Sequence, residues 1–168
     1  YIIKARVTML RDVGTAMSPF SSFQFIQGLE TLALRMERHC ENASKVAEFL
    51  VGQDKVTRVI FPGQMEGEPR KRADKYLSGG YGALVGFELA GGADAGKKFI
   101  ESLQMFYHVA NIGDSRSLAI HPATTTHSQL SAEEQLQTGV TEGYVRLSVG
   151  IEHIDDILAD LTQALAAS

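Results

Sequence analysis

Five stretches of the chain carry the apolar patterns of β-strands. Val56–Phe61 is rich in β-branched residues, and both Ala83–Leu89 and Tyr144–Val149 alternate apolar and polar side chains with a period of two. Shorter apolar runs, Tyr107–Ile112 and Ser117–Ile120, flank a glycine turn. Together these patterns predict a small, mostly antiparallel sheet.

Stretches with apolar residues at helical spacing surround these strands. Ser18 is a predicted N-cap with Pro19 in the first turn, and Ser131 begins a capping-box sequence with Glu134. The predicted helices are Tyr1–Val13, one long helix from Ser18 to Gly52, Glu66–Leu77, Ala93–Met105, Ser131–Gly139 and a last one over Ile154–Leu165. Helices that flank a small sheet predict an α+β fold.

The middle of the long predicted helix is charged. It contains Arg35, Glu37, Arg38 and His39 in succession around a single methionine. Charged side chains mostly stay at the surface, so a solvated or interdomain face is the favoured interpretation, ahead of a catalytic role.

The candidate binding chemistry lies in the last third of the chain. Arg146 falls on the polar face of the Tyr144–Val149 strand, and a guanidinium fixed on a strand is well shaped to hold a carboxylate through two parallel hydrogen bonds. The sequence Asn111-Ile112-Gly113-Asp114 predicts a tight turn whose backbone N–H groups stay unpaired for a ligand. Spacing alone leaves open the more frequent case, an arginine that is solvated or paired with an acidic residue.

Composition narrows the class of protein. The 168 residues carry a net charge of −4 with scattered basic residues, which does not favour nucleic-acid binding. No apolar run approaches the roughly 20 residues that span a bilayer, so neither a membrane protein nor a signal peptide is predicted. The single cysteine, Cys40, is interpreted as a core residue, and a soluble cytoplasmic protein fits best.

Two other motifs contain residue types found in binding sites, a pair of histidines and a glycine-rich segment. His121 and His127 lack the spacing and the additional ligands of a metal site, so structural roles and no bound metal are predicted. The glycine-rich segment Ser78–Gly82 leads from a helix toward a strand, which is the reverse of the order found in phosphate-binding loops.

Short motifs occur in a fixed order along the chain: Ser18–Phe20, Gly28–Leu32, Arg35–His39, Asn42-Ala43, Val109–His127 (VANIGDSRSLAIHPATTTH), Glu133–Leu136, Gly139–Gly143 and Val145–Glu152 (VRLSVGIE). Their order resembles the C-terminal domain of the Cys/Met-metabolism family of pyridoxal-phosphate (PLP) enzymes, which have fold type I, and the resemblance extends along the whole chain. Within the family, the residues around Asn111 most resemble the branch that uses O-acetylhomoserine and sulfide.

The resemblance implies roles for four residues. Arg146 would bind the α-carboxylate of an amino-acid substrate, Asn111 and the amide of Ile112 would line the same carboxylate, and Thr126 would lie close by. The cofactor would be PLP, but the family's Ser-x-Thr-Lys motif is missing from this chain. No catalytic or cofactor-binding residue is therefore predicted here.

The domain organisation follows from the same resemblance. Residues 1–14 are expected to be a remnant of the large cofactor-binding domain, and residues 15–168 the small C-terminal domain. The chain is accordingly expected to be part of a larger transferase that makes homocysteine, and to be inactive alone. A γ-lyase or γ-synthase of the same family, and a non-catalytic assembly module, stay open as alternatives, and a homotetramer is the oligomer that the resemblance implies.

Overall fold

The computed structural model of the protein describes residues 1–168. The chain divides into two compact units, Tyr1–Leu34 and Arg35–Ser168. The boundary expected after residue 14 lies inside the first unit, and the assignment of residues 1–14 to another domain stays a prediction.

The first unit is helical and has no buried residue. Helix α1 covers Ile2–Lys4 and continues as a π-helix over Ala5–Val13, which ends at Gly14 with a left-handed φ of 79°. The predicted extent of this helix is confirmed, although most of it has π rather than α hydrogen bonding. Gly14 ends it because glycine adopts positive φ without a Cβ clash.

Helix α2, Pro19–Glu30, begins as predicted. Ser18 is its N-cap, and its hydroxyl accepts a hydrogen bond from the Ser21 N–H at 3.1 Å. The apolar side chains of this helix are exposed, with Phe20 and Leu29 at 69% and 64%.

The prediction of one long helix from Ser18 to Gly52 is wrong. Thr31 has φ −108° and ψ 7°, and helix α3 begins after it and covers Leu32–Val51. A glycine three residues earlier and a β-branched residue at the break both have low helix propensity, which explains why the helix is interrupted at this point.

The second unit contains the sheet and the remaining helices. The strands are β1 Val56–Ile60, β2 Leu84–Leu89, β3 Tyr107–His108, β4 Leu118–Ile120 and β5 Tyr144–Ser148. The further helices are α4 Gly67–Tyr76, α5 Gly92–Ser102, α6 Ala132–Gln137 and α7 Ile154–Ala167. The capping box at Ser131 and Glu134 is present.

The five strands form one sheet in the order β1-β2-β5-β4-β3. All neighbouring pairs are antiparallel except β3 and β4, which are parallel. The α+β class with a mostly antiparallel sheet is therefore confirmed.

One face of the sheet forms the core. Val145, Leu147 and Val149 are fully buried, as the alternating pattern predicts, and they share the core with Phe87 of β2. Each such side chain contributes about 1.5–3 kcal/mol by leaving water. The helices supply the other side of this core through residues Ala43, Val46, Leu50, Phe99, Ile157 and Leu161.

The predicted strand Tyr107–Ile112 is shorter than expected. Only its first two residues pair with β4. Beyond them the Val109 N–H donates to the Tyr107 carbonyl and the Asn111 N–H to the Val109 carbonyl. These local bonds use the backbone groups that a strand would offer to its neighbour.

None of the helices combines the length and the apolar character that crossing a membrane requires.

Candidate functional site

Arg146 lies on the central strand of the sheet. Its Cα is opposite Gly86 of β2 on one side and Ile120 of β4 on the other. A Cβ at Gly86 would lie 2.7 Å from the ring of Tyr144, so the glycine leaves room for this ring beside Arg146. The backbone of Arg146 is thus held from both sides, which fixes the origin of its side chain.

The guanidinium of Arg146 is directed toward the predicted turn. Its Nη2 donates to the Asn111 carbonyl at 3.4 Å, which is a long hydrogen bond. Its Nε is buried and has no hydrogen-bond partner. No carboxylate pairs with this arginine, although Arg58, Arg70 and Arg116 each lie beside one. Arg146 therefore keeps N–H donors for a ligand.

The turn is tied to the same strand. The Ile112 N–H donates to Asn111 Oδ1 at 2.9 Å, and the Gly113 N–H donates to Ser148 Oγ at 3.3 Å. Gly113 has φ 76°, which explains the need for glycine here. The prediction that these N–H groups stay unpaired is wrong, because neighbouring side-chain oxygens accept from them.

Asp114 closes the turn on its far side. Its carboxylate accepts from the backbone N–H of Arg116 at 3.0 Å, and this bond, followed by the Arg116 side chain, lowers the pKa of Asp114. The guanidinium of Arg116 also lies 4.3 Å from the centre of the Tyr107 ring. Both contacts hold the exposed segment between β3 and β4 in place.

A cavity of about 530 Å³ opens beside Arg146 and is called the Arg146 cavity below. Ile112, Gly113 and Arg146 line it, whereas Asn111 and Thr126 are not among its lining residues. Its other lining residues are Met36, His39, Ile60, Pro62, Met65, Tyr81, Gly82, Ala83, Leu84, Gly86 and Tyr144. An apolar cavity with a few polar groups is the usual form of a small-molecule site.

Two tyrosines form walls of the Arg146 cavity. Burial raises the pKa of Tyr144, so its hydroxyl is neutral at physiological pH and can donate a hydrogen bond. The hydroxyl of Tyr81 donates to Asp74 at 2.7 Å, and Arg70 bonds the same carboxylate at 2.9 Å. These bonds fix the Tyr81 ring against the cavity.

His39 is a residue whose importance the sequence did not reveal. The interpretation of a solvated or interdomain face is wrong for it, because only 1% of His39 is exposed. Its Nδ1 lies 2.7 Å from the Val149 carbonyl, and its Nε2 is buried without a partner. In the sequence, its burial was indicated by its position at helical spacing from the apolar residues Ala43, Val46 and Leu50.

Thr126 lies away from the cavity lining. It is exposed, and its Oγ1 is 2.9 Å from His127 Nδ1. The structure brings Arg146, Asn111 and Ile112 together and does not bring Thr126 to them, so the role of Thr126 stays a prediction.

A second cavity, of about 350 Å³, contains none of the predicted site residues. It lies between β2 and the segment around α6, with Glu88, Gln135 and Thr141 in its wall. The structure contains no group of three or more His, Cys, Asp or Glu residues that could hold a metal ion.

The mostly antiparallel sheet with its packed helices matches part of the fold of a PLP-dependent enzyme of fold type I. The chain belongs to the family of Cys/Met metabolism PLP-dependent enzymes, which matches residues 2–166. The resemblance inferred from the motifs is therefore confirmed.

Similar proteins include several sulfhydrylases. An O-acetyl-L-homoserine sulfhydrylase of Leptospira meyeri is 57% identical over 166 residues, which are 98% of this chain and 38% of that protein. O-acetyl-L-homoserine sulfhydrylase 1 of Thermus thermophilus is 51% identical over 99% of this chain and 39% of its own length. The chain therefore spans about two fifths of the curated relatives that it matches.

A solved structure from Campylobacter jejuni has the same fold. It is described as an O-acetylhomoserine (thiol)-lyase that contains a pyridoxyl-lysine monophosphate, and it is 41% identical with a TM-score of 0.89. The match covers 98% of this chain and 39% of that one.

Proposed function

We infer that this chain is the substrate-carboxylate-binding part of a PLP-dependent O-acetylhomoserine sulfhydrylase. The whole enzyme would convert O-acetylhomoserine and sulfide into homocysteine and acetate, in the cytoplasm and as a homotetramer. The proposal rests on the position of Arg146. This residue is fixed on the central strand, has no acidic partner and lines a cavity of substrate size. The named activities of its relatives supply the substrates.

The proposed role of Arg146 is to orient the amino acid. Its terminal nitrogens grip the α-carboxylate while the turn at Asn111 and Ile112 closes one side of the carboxylate site. Because Nη2 makes only a long bond to the Asn111 carbonyl, a carboxylate can displace or share it at little cost. Holding the substrate in one orientation lowers the barrier by replacing a bimolecular encounter with a prearranged one.

The residues of this chain do not fit the attachment of the cofactor. PLP supplies an electron sink when it is bound through a lysine. None of the lysines lines the Arg146 cavity: Lys4, Lys45, Lys55, Lys71, Lys75, Lys97 and Lys98. No lysine of this chain is therefore placed to attach the cofactor beside Arg146.

Arg146→Lys tests this role in the protein expressed from the complete reading frame that encodes the chain. Lysine keeps the charge and loses the two-point grip, so KM for O-acetylhomoserine should rise by about tenfold or more. Arg58→Lys is the matched control, because Arg58 is also a strand arginine but its side chain is 64% exposed. An unchanged KM in Arg146→Lys rejects the carboxylate role.

Product analysis tests the reaction itself. With sulfide and O-acetylhomoserine the protein should release homocysteine and acetate. Cleavage of methionine to a keto acid, with no homocysteine formed from sulfide, would assign the chain to a lyase of the same family.

A further inference from the structure

Ser148 lies on the same face of β5 as Arg146. Successive side chains of a strand point to opposite faces, so residues two apart share a face and are separated by about 6.6–6.8 Å along the strand. The Cα of Ser148 is opposite Leu84 of β2 and Leu118 of β4, and only 2% of the residue is exposed. Its hydroxyl is therefore withdrawn from water and fixed on the central strand beside the arginine.

Two hydrogen bonds connect the segment Val109–Gly113 to this strand. The Asn111 carbonyl accepts from Arg146 Nη2 at 3.4 Å, and the Gly113 N–H donates to Ser148 Oγ at 3.3 Å. The other hydrogen bonds of the segment join residues no more than two positions apart in the chain. The turn therefore lies along the strand with one bond to it at each end.

A bound carboxylate affects these two bonds differently. The guanidinium of Arg146 is the proposed ligand of the carboxylate, so the carboxylate competes for the same Nη2 that bonds the Asn111 carbonyl. The bond at Ser148 has no such competitor at its acceptor, because an ionised carboxylate has no hydrogen to donate to the serine oxygen. The serine bond is therefore the one that still holds the turn when the arginine is engaged.

We propose that Ser148 is a positioning residue of the carboxylate site. Its hydroxyl holds Gly113 against β5 and so keeps the turn beside Arg146 while the guanidinium binds the carboxylate. Ile112 and Gly113 both line the Arg146 cavity, so a displaced turn changes the cavity wall directly. This inference rests on the proposed function, because that function assigns the substrate carboxylate to Arg146.

A second buried serine separates a positioning role from a purely structural one. Gly113 is exposed, so water can accept from its N–H when Ser148 is replaced, and little stability is lost. Ser117 is fully buried, and its hydroxyl donates to Glu152 Oε2 and accepts from the Gly150 N–H, both at 2.9 Å. Ser117→Ala therefore loses more stability than Ser148→Ala but leaves the bond between turn and strand intact, which makes it the matched control.

Steady-state kinetics of the protein expressed from the complete reading frame test the role of Ser148. Ser148→Ala should raise KM for O-acetylhomoserine about threefold to tenfold and change kcat by less than about twofold. Ser148→Cys keeps a weak acceptor and should give a smaller rise, and it carries the test alone if the alanine variant does not fold. Ser117→Ala should leave KM unchanged. No rise at Ser148, or an equal rise in Ser117→Ala, overturns the positioning role.

Hydrogen exchange of the same complete protein tests the role without turnover. Ser148→Ala should speed deuterium uptake in Val109–Gly113 about threefold or more and leave uptake in Tyr144–Leu147 unchanged. Faster uptake in both segments would show a general loosening of the sheet and overturn the positioning role. A rise in KM for Arg146→Lys without one for Ser148→Ala rejects the positioning role and keeps the proposed function. An unchanged KM in Arg146→Lys rejects both.

Discussion

The second unit contains two almost fully buried histidines, and their surroundings differ. His121 has a partner at each ring nitrogen, Thr124 Oγ1 at 2.9 Å and the Glu142 carbonyl at 2.7 Å. His39, equally buried, has one partner, and its second ring nitrogen is buried without one. The first arrangement ties a loop to its neighbours through both ring nitrogens, and the second leaves one ring nitrogen without a partner. Burial of a histidine alone therefore does not reveal whether both of its ring nitrogens have partners.

The largest expected difference between the two histidines is in how much each contributes to the free energy of unfolding. His121→Ala leaves a carbonyl and a hydroxyl without their partner and creates a void, so the free energy of unfolding should fall by about 3 kcal/mol. His39→Ala loses a single bond and should cost less. Urea denaturation of both variants measures this. Equal losses would remove the distinction between the two histidines.

The next largest effect on stability is expected at Gly96, which packs against the ring of His121. A Cβ at Gly96 would lie 2.5 Å from His121 Nε2, so Gly96→Ala should displace the ring and cost about 1–3 kcal/mol. Gly28→Ala is the matched control, since a Cβ on this other helical glycine meets nothing within 4 Å and alanine favours helix. Thermal unfolding should rank Gly96→Ala below wild type and Gly28→Ala at or above it.

The free energy of unfolding should also depend on pH because His121 is buried. Burial lowers the pKa of His121 below its usual 6.5, an effect that the Glu142 carbonyl partly offsets and nearby Lys97 reinforces. The unfolded chain therefore takes up a proton that the folded chain resists. The contribution of His121 to the free energy of unfolding is fully present above pH 6.5 and is lost as the pH falls below that value. Denaturation at about pH 7.5 and 5.5 should show this slope, and His121→Gln should reduce it. An identical slope in that variant would assign it to other groups.

The smallest effect concerns the wall of the Arg146 cavity. Tyr81→Phe removes the hydroxyl that donates to Asp74 but keeps the ring that packs on Phe61. The loss in thermal stability should be smaller than for either variant near His121, because the Asp74 carboxylate is exposed to water. A loss as large as that of His121→Ala would show that the cavity wall depends on this one bond.

The regular parts of the fold could be predicted from the sequence. The period-two alternation correctly predicts that Val145, Leu147 and Val149 are buried, because these three side chains point to the side of the sheet that meets the core. The break at Thr31 could not be predicted, since apolar residues keep their helical spacing across it. Propensity at one residue is too weak a signal to locate such a break.

The site was predictable only in part. The strand position of Arg146 follows from local alternation, and the turn follows from Gly113. The role of His39 depends on the Val149 carbonyl, 110 residues further along the chain, and no local pattern records a contact at that separation. The closure of the turn by Ser148 Oγ is hidden for the same reason.

The position of Arg146 between two paired strands also affects how the site can change in evolution. The ladders on both sides tie its backbone to the most protected part of the sheet, so its amide should exchange with deuterium only when the whole unit opens. The segment Val109–Gly113 is held instead by short local bonds and one serine hydroxyl. Mutations there can reshape the pocket without disturbing the sheet, so new ligand preferences should arise in the turn while the arginine is inherited unchanged.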